Sequence, residues 1–172
     1  PGLAEWIRVV DYRRTQLDRL KNVDYFFESS MSAEEILSYD FDHIAVATGA
    51  TWRSDGVGYR HSRAVEMGTE MEVLTPDRLM GGERPRGNRV VVFDDDHYYM
   101  GGALAELLLK EGFSVALVTP EPEVSSWTHM TLEQHRIQAH LLELGAEVVV
   151  SHSVIGGTAS GLVMQSVYTG SE

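Results

Sequence analysis

Arg89-Val90-Val91-Val92-Phe93, then Asp94-Asp95-Asp96-His97-Tyr98-Tyr99-Met100, then Gly101-Gly102-Ala103-Leu104-Ala105 is the stretch whose reading decides the fold. A short run of β-branched and aromatic residues predicts a buried strand at 89–93, and the apolar spacing after Gly101 predicts a helix over 101–111. The pattern repeats downstream: a strand at 114–118, a helix over 130–144 and a strand at 147–151. Gly112 and Gly145 stand where helices end on glycine. Strands alternating with helices predict an α/β fold, a three-layer Rossmann-like arrangement around a parallel sheet.

The loop between the first strand and its helix has the wrong residues for a nucleotide. A working dinucleotide loop reads G-x-G-x-x-G: one glycine makes the tight turn, one lets the backbone approach the pyrophosphate, and one packs helix against strand. With Gly101 as the third glycine and Ala105 following in the helix, the first two positions fall on Asp96 and Tyr98. A tyrosine side chain fills space a pyrophosphate needs, and three consecutive carboxylates repel it. The second predicted strand ends Leu117-Val118-Thr119-Pro120, without the acid that holds the ribose of NAD and without an arginine for NADP. Asp94–His97 offer ligand types suited to a metal, but consecutive residues in a tight loop rarely converge on one ion. Their expected role is to cap the helix N-terminus, where negative charge is favoured, and so to fill the anion site with the protein's own carboxylates.

Working outward, a helix is expected over 4–21, bounded by Gly2 and Asn22, and a short aromatic-rich strand over Val23–Glu28. Ser32-Ala33-Glu34-Glu35 has the form of a capping box that starts a short helix through Tyr39. Asp42 to Ala50 reads as a buried-type strand turning at Gly49. Residues 53–88 lose periodicity, although Thr75-Pro76-Asp77 is a good start for a helix over Pro76–Met80. Leu162–Tyr168 is strand-like.

Composition narrows the function classes. A net charge of −12 over 172 residues repels phosphate backbones and argues against a nucleic-acid partner. No run approaches the ~20 apolar residues of a membrane span. With no cysteine the chain has no thiol chemistry and no ligands for an iron–sulfur cluster. It begins at Pro1 and stops soon after a strand-like run, and is expected to be a piece of a longer polypeptide. The histidines form no catalytic pattern: His129 and Glu133 are four apart without the second histidine of a zinc motif, and His135 and His140 face different directions. His43 reads as a packed or edge residue.

Taken together, several runs resemble the trimethylamine dehydrogenase family, which includes dimethylamine and histamine dehydrogenases. They are Pro1–Trp6, Asp11-Tyr12-Arg13-Arg14-Thr15-Gln16, Ala47-Thr48-Gly49-Ala50-Thr51-Trp52-Arg53 and Val91–Met100, with looser matches at Leu74-Thr75-Pro76 and Trp127–Glu133. The likeness covers nearly the whole chain and weakens after His152. It implies a longer flavin oxidoreductase acting on a small amine, with FMN and a [4Fe–4S] cluster in an N-terminal barrel outside this sequence. Electrons would pass from FMN to the cluster and on to an electron-accepting protein. It also implies that residues 1–53 are the later part of an FAD/ADP-binding-like domain, 54–88 a connector, and 89–172 a truncated NAD(P)-binding-like domain. The expected partners are the barrel, further copies of the parent in a homo-oligomer and the electron acceptor, in a cytoplasmic setting. On that basis Thr48 and Gly49 either line an ADP- or FAD-type pocket or are a packing threonine and a turn glycine. Gly101 marks the degenerate dinucleotide loop, and Trp52 and Arg53 are expected at an inter-domain contact. Tyr98 and Tyr99 are expected to pack against the barrel or a neighbouring subunit. No catalytic and no metal-ligating residue is expected in this stretch, which would serve as an accessory nucleotide-fold region. The alternatives are the NAD(P)H-binding domain of an enzyme like 2,4-dienoyl-CoA reductase, which keeps the glycine fingerprint, and a non-binding scaffold module.

Overall fold

The computed structural model describes residues 4–158 and 160–172. The chain divides into two compact units, Gly2–Ala50 and Thr51–Glu172. In the second, α3 (Pro76–Met80) precedes β1 (Arg89–Phe93), α4 (Met100–Lys110), β2 (Ser114–Val118), a 3-10 segment (Ser126–Thr131), α5 (Gln134–Glu143) and β3 (Glu147–Val149). The strands form a parallel sheet in the order β1-β2-β3, with Arg89 opposite Ser114 and Ala116 opposite Glu147. This is the α/β alternation expected from the sequence. The helix expected over 130–144 differs: a 3-10 turn comes first, and Leu132, at φ 61, breaks the helical path before α5 begins.

The core lies where α4 meets the sheet. Leu104, Ala105 and Leu108 of α4 pack with Val92, Val115 and Leu117 of the strands, and Leu141 of α5 and Leu79 of α3 close the edges. The spacing of Leu104, Ala105 and Leu108 puts them on one helix face, so one amphipathic helix covers two strands. The backbone N–H of Phe113 donates to Leu108 O at 3.0 Å after Gly112 takes φ 92, a conformation that suits glycine and lets the chain turn directly into β2.

The segment read as a connector belongs to this unit. Thr75 caps α3 by accepting from the Arg78 N–H, with Pro76 in the first turn, as the sequence predicts. Arg84 donates to Glu111 at 2.5 and 2.7 Å, tying the connector to the end of α4. Residues 66–68 run beside an antiparallel hairpin of β4 (His152–Thr158) and β5 (Gly161–Ser166). Gly68 N–H donates to Gly157 O at 2.8 Å and Gly157 N–H donates to Glu66 O at 3.1 Å. A Cβ on Gly157 would come within 2.8 Å of the Met67 sulfur, so glycine allows this close approach.

The first unit is different in kind. It holds α1 (Ile7–Leu17), preceded by a 3-10 turn at Ala4–Trp6, and α2 (Ala33–Ser38). The capping box forms as expected: the Ser32 hydroxyl accepts from Glu35 N–H, while the Glu35 carboxylate accepts from Ser32 N–H at 2.7 Å. The expected helix over 4–21 ends earlier, at Leu17, and its Gly2 boundary lies outside the described residues. The strands expected at Val23–Glu28 and Asp42–Ala50 do not form. Both runs have strand-like composition, but among the described residues neither has a neighbouring strand to accept its ladder bonds, and a lone strand is not stable. No described residue of 4–50 is buried, and Phe26, Leu37 and Val46 stand exposed.

These differences set an expectation for stability. Leu108→Ala, at a fully buried site, should lower the unfolding free energy by about 2–5 kcal/mol in denaturant titration. Met130→Ala, at a position 89% exposed, should change it by less than about 0.5 kcal/mol.

Candidate functional site

Ligands of open α/β sheets bind beyond the carboxyl ends of the strands. Here that end is the turn from β1 into α4, and Asp94 governs it. Its N–H donates to Val118 O at 2.8 Å, extending the sheet by one residue. Its carboxylate then turns inward and is 2% exposed. Oδ1 accepts from the N–H groups of Asp96, at 3.2 Å, and His97, at 3.1 Å, which folds the loop back in an Asx turn. The other oxygen, Oδ2, has no hydrogen-bond partner among the described residues. Burial pushes the Asp94 carboxyl above the usual range, and the hydrogen bonds from the His97 and Asp96 N–H groups oppose that shift.

Gly101 stands directly against this carboxylate. A Cβ there would lie 2.6 Å from Asp94 Cβ and 2.7 Å from Oδ1, closer than side chains pack. The glycine at 101 is therefore required by the protein's own carboxylate. Gly102 beside it faces Ile137 of α5 and Ser125, each 3.3 Å from where a Cβ would sit.

The expectation that the loop acids cap the helix is corrected in its detail. The residue before α4 is Tyr99, and no side chain bonds the α4 terminus there. Asp94 spends its acceptors on the loop amides, and both oxygens of Asp95 take the Arg60 N–H, at 2.8 and 3.1 Å. The reason is geometric: Asp94 occupies the space in front of Gly101 while its free amides lie in the loop.

His97 completes the closure. It takes φ 61, is 1% exposed and lies edge-on to Tyr59 at 5.6 Å and to Trp127 at 5.9 Å between ring centroids. Its Nε2 is 3.6 Å from Asp95 Oδ1, beyond hydrogen-bond reach, and its carbonyl accepts from the Trp127 N–H at 2.9 Å. The Tyr99 hydroxyl donates to Glu133 at the start of α5, and its ring sits 4.2 Å from that of Tyr98. Tyr99 thus ties the loop to α5, while Tyr98 is 37% exposed. Loops that are far apart in sequence, around residues 59, 97 and 127, close on one another. No local pattern announces that arrangement, and the sequence reading missed it.

The remaining candidates are more dispersed. Thr48 and Gly49 belong to the first unit and are exposed; Gly49 has φ 76 and open space where a Cβ would sit, so its conformation, and not a close contact, calls for glycine. The Trp52 N–H donates to Asp77 at 2.8 Å and Arg53 pairs with Asp55. His129 pairs with Glu123 at 2.5 Å, and His140 lies 3.7 Å from Glu106. His43, expected on a buried strand, is exposed and outside any strand. Among the described residues no three histidine or acidic side chains converge as for a metal. Thr119, where an NAD site would place its acid, is fully buried, and its carbonyl takes the His152 N–H at 3.1 Å.

A parallel α/β sheet with a nucleotide-type turn, closed by its own carboxylate, defines the class of domain. The chain belongs to the OYE-like second alpha/beta domain family, whose model matches residues 74–169. It is 34% identical to dimethylamine dehydrogenase of Hyphomicrobium sp. (strain x) over 157 residues, covering 87% of this chain and 21% of that protein. It is 44% identical to histamine dehydrogenase from Rhizobium sp. 4-9, with a TM-score of 0.93 over 99% of this chain and 26% of that one. 6-Hydroxypseudooxynicotine amine oxidase from Pseudomonas geniculata N1 is 35% identical, with a TM-score of 0.89 over 99% of this chain and 25% of that one. The chain thus spans about a quarter or less of the length of these relatives, and the kinship with the trimethylamine dehydrogenase family expected from its motifs holds. No helix among the described residues is long and apolar enough to cross a membrane.

Two measurements follow from the Asp94–Gly101 contact. Gly101→Ala should cost about 1–3 kcal/mol of stability, and much less in an Asp94→Ala background, because the added methyl then has room. Asp94→Asn reports on ionisation. A carboxyl that holds its proton more tightly when folded favours folding below the ordinary carboxylate range, and that contribution is lost as pH rises through its raised value. The melting temperature of Asp94→Asn relative to the unsubstituted protein should therefore rise from acid to neutral pH; a pH-independent difference contradicts the raised value.

Proposed function

We propose that this region is an accessory nucleotide-fold part of a longer flavin-dependent amine oxidoreductase, and that its β1–α4 turn takes no NAD(P). The observation that supports this most is the Asp94 carboxylate packed against Gly101, where a dinucleotide fold would admit a pyrophosphate. A second carboxylate and a buried His97 fill the same turn, so a phosphate would meet negative charge and occupied space. The relatives' names, dimethylamine dehydrogenase and histamine dehydrogenase, support a small amine as substrate of the whole protein.

On this reading FMN and a [4Fe–4S] cluster belong to a barrel outside the present sequence; a chain with no cysteine has no residues that fit a thiolate-bound cluster. Thr48 and Gly49 are assigned to one wall of an ADP- or FAD-type pocket whose glycine-rich loop is not part of this sequence. This chain's own residues close the turn, exclude water from Asp94 and His97, and carry no proton or electron step. The barrel, further copies of the protein and an electron-accepting protein are the proposed partners. The reading akin to 2,4-dienoyl-CoA reductase has no support from the Asp94–Met100 loop, where the glycines are missing.

Equilibrium binding to the intact protein tests the proposal. ADP is expected to bind, whereas NADH and NADPH should neither bind measurably nor reduce the flavin. Reduction by either pyridine nucleotide, or a crystal structure with a cofactor pyrophosphate at Gly101, would sink it.

A further inference from the structure

A second concave surface lies in the same unit, formed by the loop at residues 60–66 and the hairpin strand β4. The cleft has a volume of about 400 Å³ and is lined by Arg60, His61, Ser62, Arg63, Glu66 and Ile155, among others. The cleft is shallow and open to solvent, with Arg60, Ser62, Arg63 and Glu66 exposed. In the unit from Thr51 onward most cations are paired, and the exceptions among the described residues are Arg60, Arg63 and Arg89. The chain carries 26 acidic against 14 basic residues, so a cation readily finds a local carboxylate. Arg53, Arg78, Arg84, Arg86, Lys110 and Arg136 all do. Among the described residues Arg60 and Arg63 have no ion pair, although they stand three residues apart on one cleft.

The backbone under them is held firmly. Both oxygens of the half-buried Asp95 take the Arg60 N–H, so this acid is engaged with the main chain and not with the guanidinium. The His61 ring is fixed by Ser153, a residue 3% exposed, with Oγ and Nε2 at 2.8 Å, and packs at 6.2 Å from Phe93. His61 O accepts from Gly58 N–H at 3.0 Å, and Val65 N–H donates to Asp55 O at 2.8 Å, closing the loop at both ends. A loop closed at both ends that places two planar, permanently charged groups on one cleft matches a phosphate better than a neutral ligand. Glu66 is the one carboxylate on the lining and would oppose an anion.

We propose that the cleft between residues 60–66 and β4 binds the diphosphate group of a small molecule through Arg60 and Arg63. This goes beyond the accessory role proposed above and involves neither Gly101 nor the Thr48–Gly49 turn. Inorganic pyrophosphate is the probe, titrated into the intact protein by calorimetry at low ionic strength. Binding is expected, weakening as salt is added. Arg60→Gln and Arg63→Gln should each weaken it by about tenfold, the loss of one charged hydrogen-bonding partner, and Glu66→Gln should strengthen it. Arg89→Gln is the control: Arg89 is also exposed and without an ion pair among the described residues, but lies outside the cleft. Melting temperatures of the single variants and of an Arg60→Gln/Arg63→Gln double variant monitor folding. Absence of binding to the unsubstituted protein, unchanged affinity in an Arg60→Gln/Arg63→Gln double variant, or an equal loss in Arg89→Gln would overturn the proposal.

Discussion

The β1–α4 turn is organised by one buried carboxylate. Asp94 ends the first strand, takes two loop amides and lies against Gly101, and each neighbour then has little freedom. The Asx turn puts His97 at positive φ; His97 in turn meets Tyr59 and Trp127, and its carbonyl holds the Trp127 N–H. Burying an acid is costly, and one oxygen of Asp94 lacks a partner among the described residues. The cost is moderated by the amides at Oδ1 and by the positive end of α4 close by. The side chain kept in such a place fills the crevice in front of Gly101.

The two units show how differently the same kind of sequence can behave. From Thr51 onward, α4, α5 and α3 cover apolar strands and make a core. In residues 4–50 apolar side chains are also frequent, yet none is buried. Short helices and lone extended runs cannot shield them from water, since burial needs a second layer. The contacts that are present are local: Tyr25 with Asp18, Arg14 over the Phe27 ring, and Tyr39 stacked on Phe41. The chain spans about a quarter or less of the length of its relatives.

Charge is distributed with similar economy. Acids outnumber bases almost two to one, and the surface cations of the second unit are mostly neutralised in place. Against that background Arg60, Arg63 and Arg89 have no ion pair among the described residues, and no side chain caps α4, where three aspartates precede the helix. At Arg60 and at α4 proximity misleads, because main-chain amides compete for the carboxylates.

The sequence by itself determined the α/β alternation, the strand limits of β1 and β2, the proline-started α3 and the capping box at Ser32, because each rests on period, propensity or a cap within a few residues. It also showed that the phosphate loop had lost its glycines. Tertiary structure decided what replaced them. The contact of Asp94 with Gly101 spans a loop, the enclosure of His97 joins residues 59, 97 and 127, and the hairpin at 152–166 pairs with the connector at 66–68. The failure of the strands expected at 23–28 and 42–50 has the same origin. A strand, a buried charge and a closed loop all depend on partners distant along the chain, and periodicity carries no record of which partners will be there.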